Sequence, residues 1–201
     1  MTITRGYRNE MIRRHIDSKS WGNSAKNYGG GDVLHLLDRY PNIKTVLDFG
    51  CGKGTMKQYV EQRLHRDDVI WTEYDPGISG KQDLPQGRFD MVLSCDVLEH
   101  IEPNELTSTL QQLKDWTNIL SYHNIACTPT GHLFADGEHK GKDVHLIVQK
   151  PGDWLETLEN AFDPQLELWE FRDCLRRAKR QKYKQRATII HERTRDVRPR
   201  R

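Results

Sequence analysis

Short apolar runs alternate along the chain with segments whose apolar positions recur at helical spacing. The apolar runs are bounded by turn-forming residues and predict buried strands over residues 45–50, 68–75, 89–95 and 123–129. The helically spaced segments predict helices over residues 32–41, 54–66, 104–120 and 151–162. Strands that alternate with helices are typical of a parallel, doubly wound sheet with helices on both faces.

The last part of the chain departs from this alternation. Two apolar runs, 165–173 and 186–193, are separated by a basic linker that lacks a helical pattern, which favours an antiparallel pair. The sequence therefore predicts an α/β fold with a doubly wound, Rossmann-like sheet, mostly parallel, with an antiparallel edge hairpin at the C-terminus. We expect this domain to span residues 32–192, after a lead-in at 1–31 and before a basic tail at 193–201.

Composition limits the class of protein. At 201 residues the chain is long enough for one domain with a sizeable core. No apolar run approaches the roughly 20 residues of a membrane helix, and the N-terminus lacks the apolar stretch of a signal peptide, so we expect a cytoplasmic protein without membrane contact. The four cysteines form no CxxC pair, which argues against a zinc ribbon or a disulfide framework.

Charge is distributed unevenly, although the formal net charge is only +2. Residues 172–201 carry 13 Lys and Arg against 3 Asp and Glu, whereas residues 46–171 carry 10 against 22. The basic end is suited to contact nucleic acid or another polyanion. The alternative is a solvated segment that balances an acidic body, and the charge pattern alone does not choose between the two.

A glycine-rich turn follows the first predicted strand in the stretch TVLDFGCGKGT. Gly50, Gly52 and Gly54 permit a tight turn and let a ligand approach bare backbone. Their GxGxG spacing differs from the GxGxxG of dinucleotide-binding folds and from the GxxxxGK[ST] of P-loops. Together with Asp48, two residues before Gly50, and the late edge hairpin, the pattern resembles class I S-adenosylmethionine-dependent methyltransferases over about residues 26–192.

This resemblance implies a set of contacts to S-adenosylmethionine. The glycine loop, with Cys51 inside it, would lie against the methionine part and the ribose of the cofactor. Asp48 would accept a hydrogen bond from the cofactor's ammonium group, directly or through water. Asp75, at the end of the next predicted strand, would accept both ribose hydroxyls, with Glu73 as the near alternative.

The resemblance extends to positions on either side of this core. Asp83, in KQDLP, is the expected acceptor for the adenine amino group, and Asp96, after the third predicted strand, is a further expected cofactor contact. Lys26 and Tyr28 would fold over the carboxylate of the cofactor. The alternative for Lys26 and Tyr28 is that both belong to a flexible lead-in.

The stretch SCDVLEHIEP holds the second group of candidate residues. Asp96, Glu99 and His100 stand at spacings i, i+3 and i+4, so on a helical turn they would share one face. His145 follows later, in KDVHLIVQKPGDW. The arrangement resembles metal-dependent O-methyltransferases of ubiquinone synthesis and enzymes that methylate a terminal ribose hydroxyl of small RNAs, with Asp96 where a Glu is common.

Three roles are open for these side chains. Asp96, Glu99, His100 and His145 together suit a divalent metal ion, which would hold acceptor oxygens and lower the pKa of a hydroxyl group. Without a metal ion, His100 or His145 is a candidate catalytic base. In the third alternative the same side chains only pack, pair or cap locally.

Few sequence motifs indicate the methyl acceptor. The chain lacks the Asn/Asp-Pro-Pro-Tyr/Phe block of amino-group DNA methyltransferases and the Pro-Cys nucleophile of cytosine-C5 enzymes. The long loop at 128–143 is the expected acceptor lid. We expect methyl transfer to an oxygen of a small-molecule acceptor, with an RNA ribose methyltransferase that uses the basic segment, or a non-catalytic S-adenosylmethionine-binding protein, as alternatives. The compact plan resembles minimal methyltransferases often encoded by bacterial viruses.

Overall fold

In this computed structural model the structure describes residues 4–19, 21–23, 25, 28–135, 137–162, 167–177 and 183–193. These residues form five α-helices, six strands and two short 3-10 helices, Leu98–His100 and Pro103–Glu105. The helices are α1 (Arg5–Asp17), α2 (Gly30–Arg39), α3 (Thr55–Glu61), α4 (Leu106–Trp116) and α5 (Pro151–Phe162). The strands are β1 (Thr45–Phe49), β2 (Ile70–Tyr74), β3 (Phe89–Cys95), β4 (Thr117–Ala126), β5 (Glu167–Arg177) and β6 (Tyr183–Glu192). None of the helices among these residues has the length and apolar character needed to cross a lipid bilayer.

The strands form one sheet in the order β2-β1-β3-β4-β6-β5. β1 pairs in parallel with β2 and with β3, and β3 pairs in parallel with β4. β6 pairs antiparallel with both β4 and β5, so the last two strands form a hairpin at one edge. The predicted α/β fold, mostly parallel with an antiparallel C-terminal hairpin, is therefore confirmed.

Each face of the sheet buries its own apolar cluster. Successive side chains of a strand point to opposite faces, so Val46 and Leu47 of β1 belong to different clusters. Val46 packs with Leu36 of α2 and Met56 of α3, and Leu47 packs in the cluster that contains Trp154 of α5. Helices on both faces make the sheet doubly wound, as the alternating pattern predicts.

β4 begins where the sequence predicts that a helix continues. α4 ends at Trp116 and β4 starts at the next residue, whereas the prediction extended the helix to residue 120. The Thr117 hydroxyl donates to the Leu113 carbonyl oxygen at 2.7 Å and so satisfies a carbonyl at the helix end. Leu120 and Tyr122 then alternate into the core and are fully buried. Most of β4 is buried on both faces, and its branched and aromatic residues favour a strand over another helical turn there.

The predicted N-terminal lead-in contains α1. Thr4 caps this helix, its hydroxyl accepting a hydrogen bond from the Tyr7 amide at 3.2 Å. Tyr7 and Met11 are buried against Phe134 and Val144 of the loop between β4 and α5. These two apolar side chains form only a narrow stripe, which is why the hydrophobic pattern did not predict the helix.

Candidate active site

A cavity opens at the carboxyl ends of β1, β2 and β3. It is enclosed by the loops after these strands, by α1 and by the loop between β4 and α5; among its lining residues are Gly50, Gly52, Asp75, Asp96, His100 and His145. The neighbours of β1 on its two sides are β2 and β3, so the strand order reverses at β1. Ligands of open α/β sheets bind at such a reversal, outside the carboxyl ends of the strands.

The glycine loop after β1 turns through three glycines that have positive φ. Their φ angles are 76° at Gly50, 51° at Gly52 and 74° at Gly54, in a region that side-chain-bearing residues rarely adopt. Gly50 packs against the side chain of Val97, and a Cβ on Gly52 would lie 2.7 Å from Gly22 Cα. Gly50 and Gly52 line the cavity, so bare backbone faces a ligand there.

Asp75 follows β2 directly and also lines the cavity. Its Oδ2 accepts a hydrogen bond from the Gly52 amide at 2.9 Å, and its Oδ1 accepts one from the Gly77 amide at 2.8 Å. The carboxylate is thereby tied to the glycine loop, and each oxygen keeps a second lone pair for a ligand. Glu73, the alternative, is paired with Lys81 at 3.1 Å. The structure therefore brings Asp75, and not Glu73, to the cavity.

Asp48, Cys51 and Gly54 are not among the described residues that line the cavity. Asp48 is 3% exposed, and its Oδ2 has no hydrogen-bond partner among the described residues. Burial, and after it the Glu73 carboxylate, raises the pKa of Asp48 to about 8. At Gly54 the missing side chain leaves room for Glu73 and Lys81. This position does not bring Asp48 to the cavity wall, and its contact with the cofactor ammonium group stays a prediction.

Of the other residues predicted to contact the cofactor, Tyr28 reaches the cavity and Asp83 does not. Asp83 is exposed on the segment between β2 and β3, and it is not among the residues that line the cavity in the described part of the chain. Pro85 of the same segment is buried, whereas Asp83 and Leu84 are exposed. The predicted adenine contact of Asp83 is not supported by this position, and Lys26 lies outside the described residues.

The acids after β3 take two different electrostatic states. Asp96 has a φ of 64°, and its Oδ1 accepts a hydrogen bond from Arg186 Nη2 at 2.7 Å. Although burial opposes the shift, the Arg186 guanidinium lowers the pKa of Asp96 to about 2. Glu99 is fully buried, its Oε1 accepts from the Ala126 amide at 2.8 Å, and burial and the Asp96 charge raise its pKa well above the usual range. Asp96 is therefore the ionised acid and Glu99 the one that retains its proton.

His100 and His145 form an imidazole pair with ring centroids 4.7 Å apart, and both rings line the cavity. His100 Nδ1 lies 2.8 Å from the Val144 carbonyl oxygen, and His145 Nδ1 lies 2.6 Å from the Thr128 carbonyl oxygen. Because a carbonyl oxygen only accepts, each Nδ1 carries a proton and each Nε2 keeps a bare lone pair. Burial and the neighbouring His145 lower the pKa of His100 to about 4, and burial lowers the pKa of His145. Both rings are neutral near pH 7.

Asp143 organises the loop that carries His145. Its carboxylate accepts hydrogen bonds from the amides of Thr130 at 3.1 Å, Gly131 at 2.7 Å and His145 at 2.8 Å. These bonds satisfy backbone donors that a loop otherwise leaves to water. The long loop predicted as an acceptor lid therefore holds His145 at a defined place in the wall.

Three of the four predicted metal ligands come together. Glu99, His100 and His145 each offer one ligand atom, and these atoms all lie within 4.8 Å of one another. Asp96 is outside this group and is paired with Arg186. One carboxylate and two imidazoles suit a transition-metal cation, and Glu99 would have to release its proton to bind one.

A smaller chamber adjoins the cavity and shares Tyr28, Asp96 and His145 with it. Arg186 of β6 lines this chamber and is only 3% exposed. Its Nε donates to Asn124 Oδ1 at 2.7 Å, and its guanidinium carbon lies 4.1 Å from the centre of the Tyr28 ring. Arg186 therefore brings a guanidinium group to the wall of this chamber.

Sequence reasoning missed the contributions of α1 and β6 to the site. Tyr7, Met11 and His15 of α1 all line the cavity, and their spacing of i, i+4 and i+8 places them on one helix face. That spacing was a usable signal in a segment that has few apolar residues. Arg186 offered none, because it is one of many basic residues near the C-terminus and only the pairing of β6 with β4 brings it to the site.

Solved structures of methyltransferases share this architecture. A 1,6-didemethyltoxoflavin N1-methyltransferase of Burkholderia thailandensis, with bound S-adenosylhomocysteine, superposes with a TM-score of 0.64 at 17% identity, over 94% of this chain and 88% of that one. Magnesium protoporphyrin IX methyltransferase of Synechocystis PCC 6803 gives 0.54 at 14% identity, over 96% and 87%. An N-methyltransferase of Bradyrhizobium japonicum WM9 gives 0.52 at 11% identity, over 94% and 99%. At these identities the likeness shows the fold.

A family model provides the assignment beyond the fold. No curated protein sequence matches the chain. The model described as a methyltransferase domain matches residues 26–160, which is more than half of the chain and includes the glycine loop, Asp75 and the residues after β3. The chain therefore belongs to this family of methyltransferase domains, as a class I S-adenosylmethionine-dependent methyltransferase.

Proposed function

We propose that the enzyme transfers the methyl group of S-adenosylmethionine to a hydroxyl oxygen of a small-molecule acceptor. The observation that carries the proposal is the imidazole pair, in which His100 and His145 each donate Nδ1–H to a backbone carbonyl and keep a bare Nε2. A hydroxyl group must lose a proton when it is methylated, and a fixed neutral imidazole accepts one. An amine acceptor attacks through a lone pair it already has and needs such a base less.

The cofactor fits the part of the cavity next to the glycine loop. Gly50 and Gly52 would lie against its methionine part and ribose, and the free lone pairs of Asp75 would accept the ribose hydroxyls. The ionised Asp96 carboxylate, which also lines the cavity, would favour the positive sulfonium centre electrostatically. These contacts would hold the cofactor in the same cavity that His100 and His145 line.

The smaller chamber fits the acceptor. His145 lines both spaces, so an acceptor hydroxyl beside its Nε2 has the cofactor on one side and the chamber on the other. Arg186, Gln185 and Thr128 give the chamber polar groups that suit a compact, oxygen-bearing molecule. An RNA acceptor would depend on the basic end at 172–201, of which 178–182 and 194–201 lie outside the described residues.

The proposed step assigns one proton transfer to the protein. S-Adenosylmethionine supplies a methyl group already activated on a sulfonium centre, and it leaves as the neutral thioether S-adenosylhomocysteine. His145 accepts the hydroxyl proton on Nε2 while the acceptor oxygen forms its bond to the methyl carbon. His145 afterwards releases that proton to solvent, and its Nδ1–H bond to Thr128 holds the ring in place throughout. Alignment by the cavity walls supplies the rest of the acceleration.

We propose metal binding as a second role for the same residues. Glu99, His100 and His145 would hold it, and it would supply Lewis-acid activation of the acceptor oxygen. Activity that is lost in chelator and restored by a divalent ion supports this role. Activity that is indifferent to chelator leaves the imidazole pair as the base.

A methyl-transfer assay with labelled S-adenosylmethionine tests the proposal. We expect label in metabolite extracts, not in RNA or protein, and we expect His145→Gln to lower kcat by about 10²–10⁴-fold while cofactor binding is retained. His132→Gln is the matched control, because His132 is exposed on the same loop. Label in RNA alone would reject the small-molecule acceptor. Cofactor binding without transfer to any pool would indicate a non-catalytic binding protein.

A further inference from the structure

We propose that His15 of α1 is a cofactor-binding residue, and that His15 and Asp75 hydrogen-bond to the same ribose hydroxyl. The proposal rests on the cofactor site described above, in which Asp75 receives the ribose. It adds a contact from the segment before the family-model match, which begins at residue 26.

The His15 imidazole is clamped between two glycines. A Cβ on Gly22 would lie 2.7 Å from His15 Cε1, and a Cβ on Gly77 would lie 3.1 Å from His15 Cδ2. Gly22 also has a φ of 75°, a conformation that disfavours a side chain. A methyl group on Gly22 would clash with the ring and one on Gly77 would crowd it, so the ring fills a narrow slot in the cavity wall.

The surroundings of the two ring nitrogens assign the tautomer. His15 Nδ1 is buried and has no hydrogen-bond partner among the described residues. A buried N–H without a partner is rarer in proteins than an unused lone pair, so the proton belongs on Nε2. Burial lowers the pKa of His15 despite the neighbouring Asp75, which agrees with a neutral ring that carries one N–H.

His15 Nε2 and Asp75 are spaced for a hydroxyl group between them. Nε2 lies 3.8 Å from Asp75 Oδ2, which is too far for a direct hydrogen bond. A hydroxyl oxygen about 2.8 Å from each atom would accept from Nε2–H and donate to the carboxylate. Asp75 is already held by two backbone amides, so its position does not depend on His15. A donor and an acceptor at this spacing match one hydroxyl in both its roles.

This contact would couple cofactor binding to the position of α1. Tyr7 and Met11, on the same helix face, pack against Phe134 and Val144 of the loop that carries the catalytic His145. The cofactor would therefore be enclosed by a helix that also supports the loop over the acceptor chamber.

Calorimetry with S-adenosylhomocysteine and its 2′-deoxy and 3′-deoxy analogues tests the proposal without a turnover assay. His15→Phe keeps a ring between the glycines and removes the donor, and His35→Phe, at an exposed position on α2, is the matched control. We expect His15→Phe to weaken binding of S-adenosylhomocysteine by about 3- to 10-fold, the range of a single neutral hydrogen bond, and His35→Phe to have no effect. One deoxy analogue should bind wild type and His15→Phe equally.

The alternative outcomes separate this proposal from the proposed function. Equal binding of S-adenosylhomocysteine by wild type and His15→Phe would reduce His15 to a packing residue and leave the cofactor site intact. Tighter binding by His15→Phe would mean that the imidazole occupies the ribose position. No binding by wild type would contradict the cofactor site itself. If His15→Phe does not fold, wild type alone still decides, because equal affinity for all three ligands overturns the hydroxyl contact.

Discussion

Asp48 shows how one buried carboxylate makes stability depend on pH. Its pKa is about 8 in the folded protein against 3.8 ordinarily, because of burial and then the Glu73 charge. The folded state thus binds the proton more tightly than the unfolded state. The stability linked to this group is fully present below about pH 4 and is lost as the pH rises through about 8.

Asp48→Asn should therefore change the pH dependence of folding. The amide has no charge to bury, so the gain in stability over wild type should be larger at about pH 9 than at about pH 5, by on the order of 2–4 kcal/mol. Urea unfolding of the cofactor-free protein at both pH values measures it, with the exposed Asp83→Asn as control. The same stability difference at both pH values would mean that Asp48 is already ionised in the folded protein.

Two predicted carboxylates illustrate what could be learned about individual residues from the sequence. Asp75 directly follows a strand of a parallel sheet, and such positions lie at the ligand-binding edge, so its place in the cavity could be predicted. Asp83 lies in a connection, where the side facing the cavity depends on contacts such as the burial of Pro85. Its exposure could not be predicted from spacing.

The glycine loop packs closely against the segment after α1, and this contact connects α1 to the sheet. A Cβ on Gly52 would meet the backbone of Gly22 at 2.7 Å, and the Lys53 amide donates to the Gly22 carbonyl oxygen at 3.2 Å. Backbone atoms on both sides leave no flexible side chain to move aside. The loop after β1 and the segment after α1 are therefore in direct backbone contact.

Gly52→Ala should loosen this contact. Gly87→Ala is the matched control, because Gly87 also has a positive φ, 84°, but an added Cβ there meets nothing within 4 Å. Both variants bear the cost of a left-handed conformation, about 1–2 kcal/mol, and only Gly52→Ala adds the clash. We expect a lower Tm and faster hydrogen exchange of the α1 amides in Gly52→Ala than in Gly87→Ala. Equal effects would show that the close contact does not hold α1.

Elements with a wide apolar pattern could be predicted, and those fixed by tertiary contacts could not. β1 and β3 have continuous apolar runs, and their positions matched the prediction closely. α1 buries mainly Tyr7 and Met11 against another loop, so its stability comes from contacts distant in sequence. The start of β4 directly after α4 was missed for a related reason, since the stretch from Thr117 fits a helix or a strand until the sheet is known.

At the scale of the whole molecule, the site combines the ends of the parallel strands with residues from a helix before the sheet and a strand after it. The sheet order brings the ends of β1, β2 and β3 to one edge, and this part follows from the alternating pattern. His15 and Arg186 enter from a helix before the sheet and from an antiparallel strand after it. The glycine loop and Asp75 were therefore predictable from motifs, whereas the enclosing helix α1 and the smaller chamber required the fold.

The central claim is that S-adenosylmethionine binds in this cavity through Asp75, and calorimetry tests it most directly. We predict one-to-one binding by wild type, a loss of at least about 10-fold in affinity for Asp75→Ala, as removal of a charged hydrogen-bond acceptor implies, and no loss for the exposed Asp83→Ala. Thermal unfolding of both variants without cofactor checks that each is folded. Absence of binding by wild type, or equal affinity of wild type and Asp75→Ala, would contradict the account.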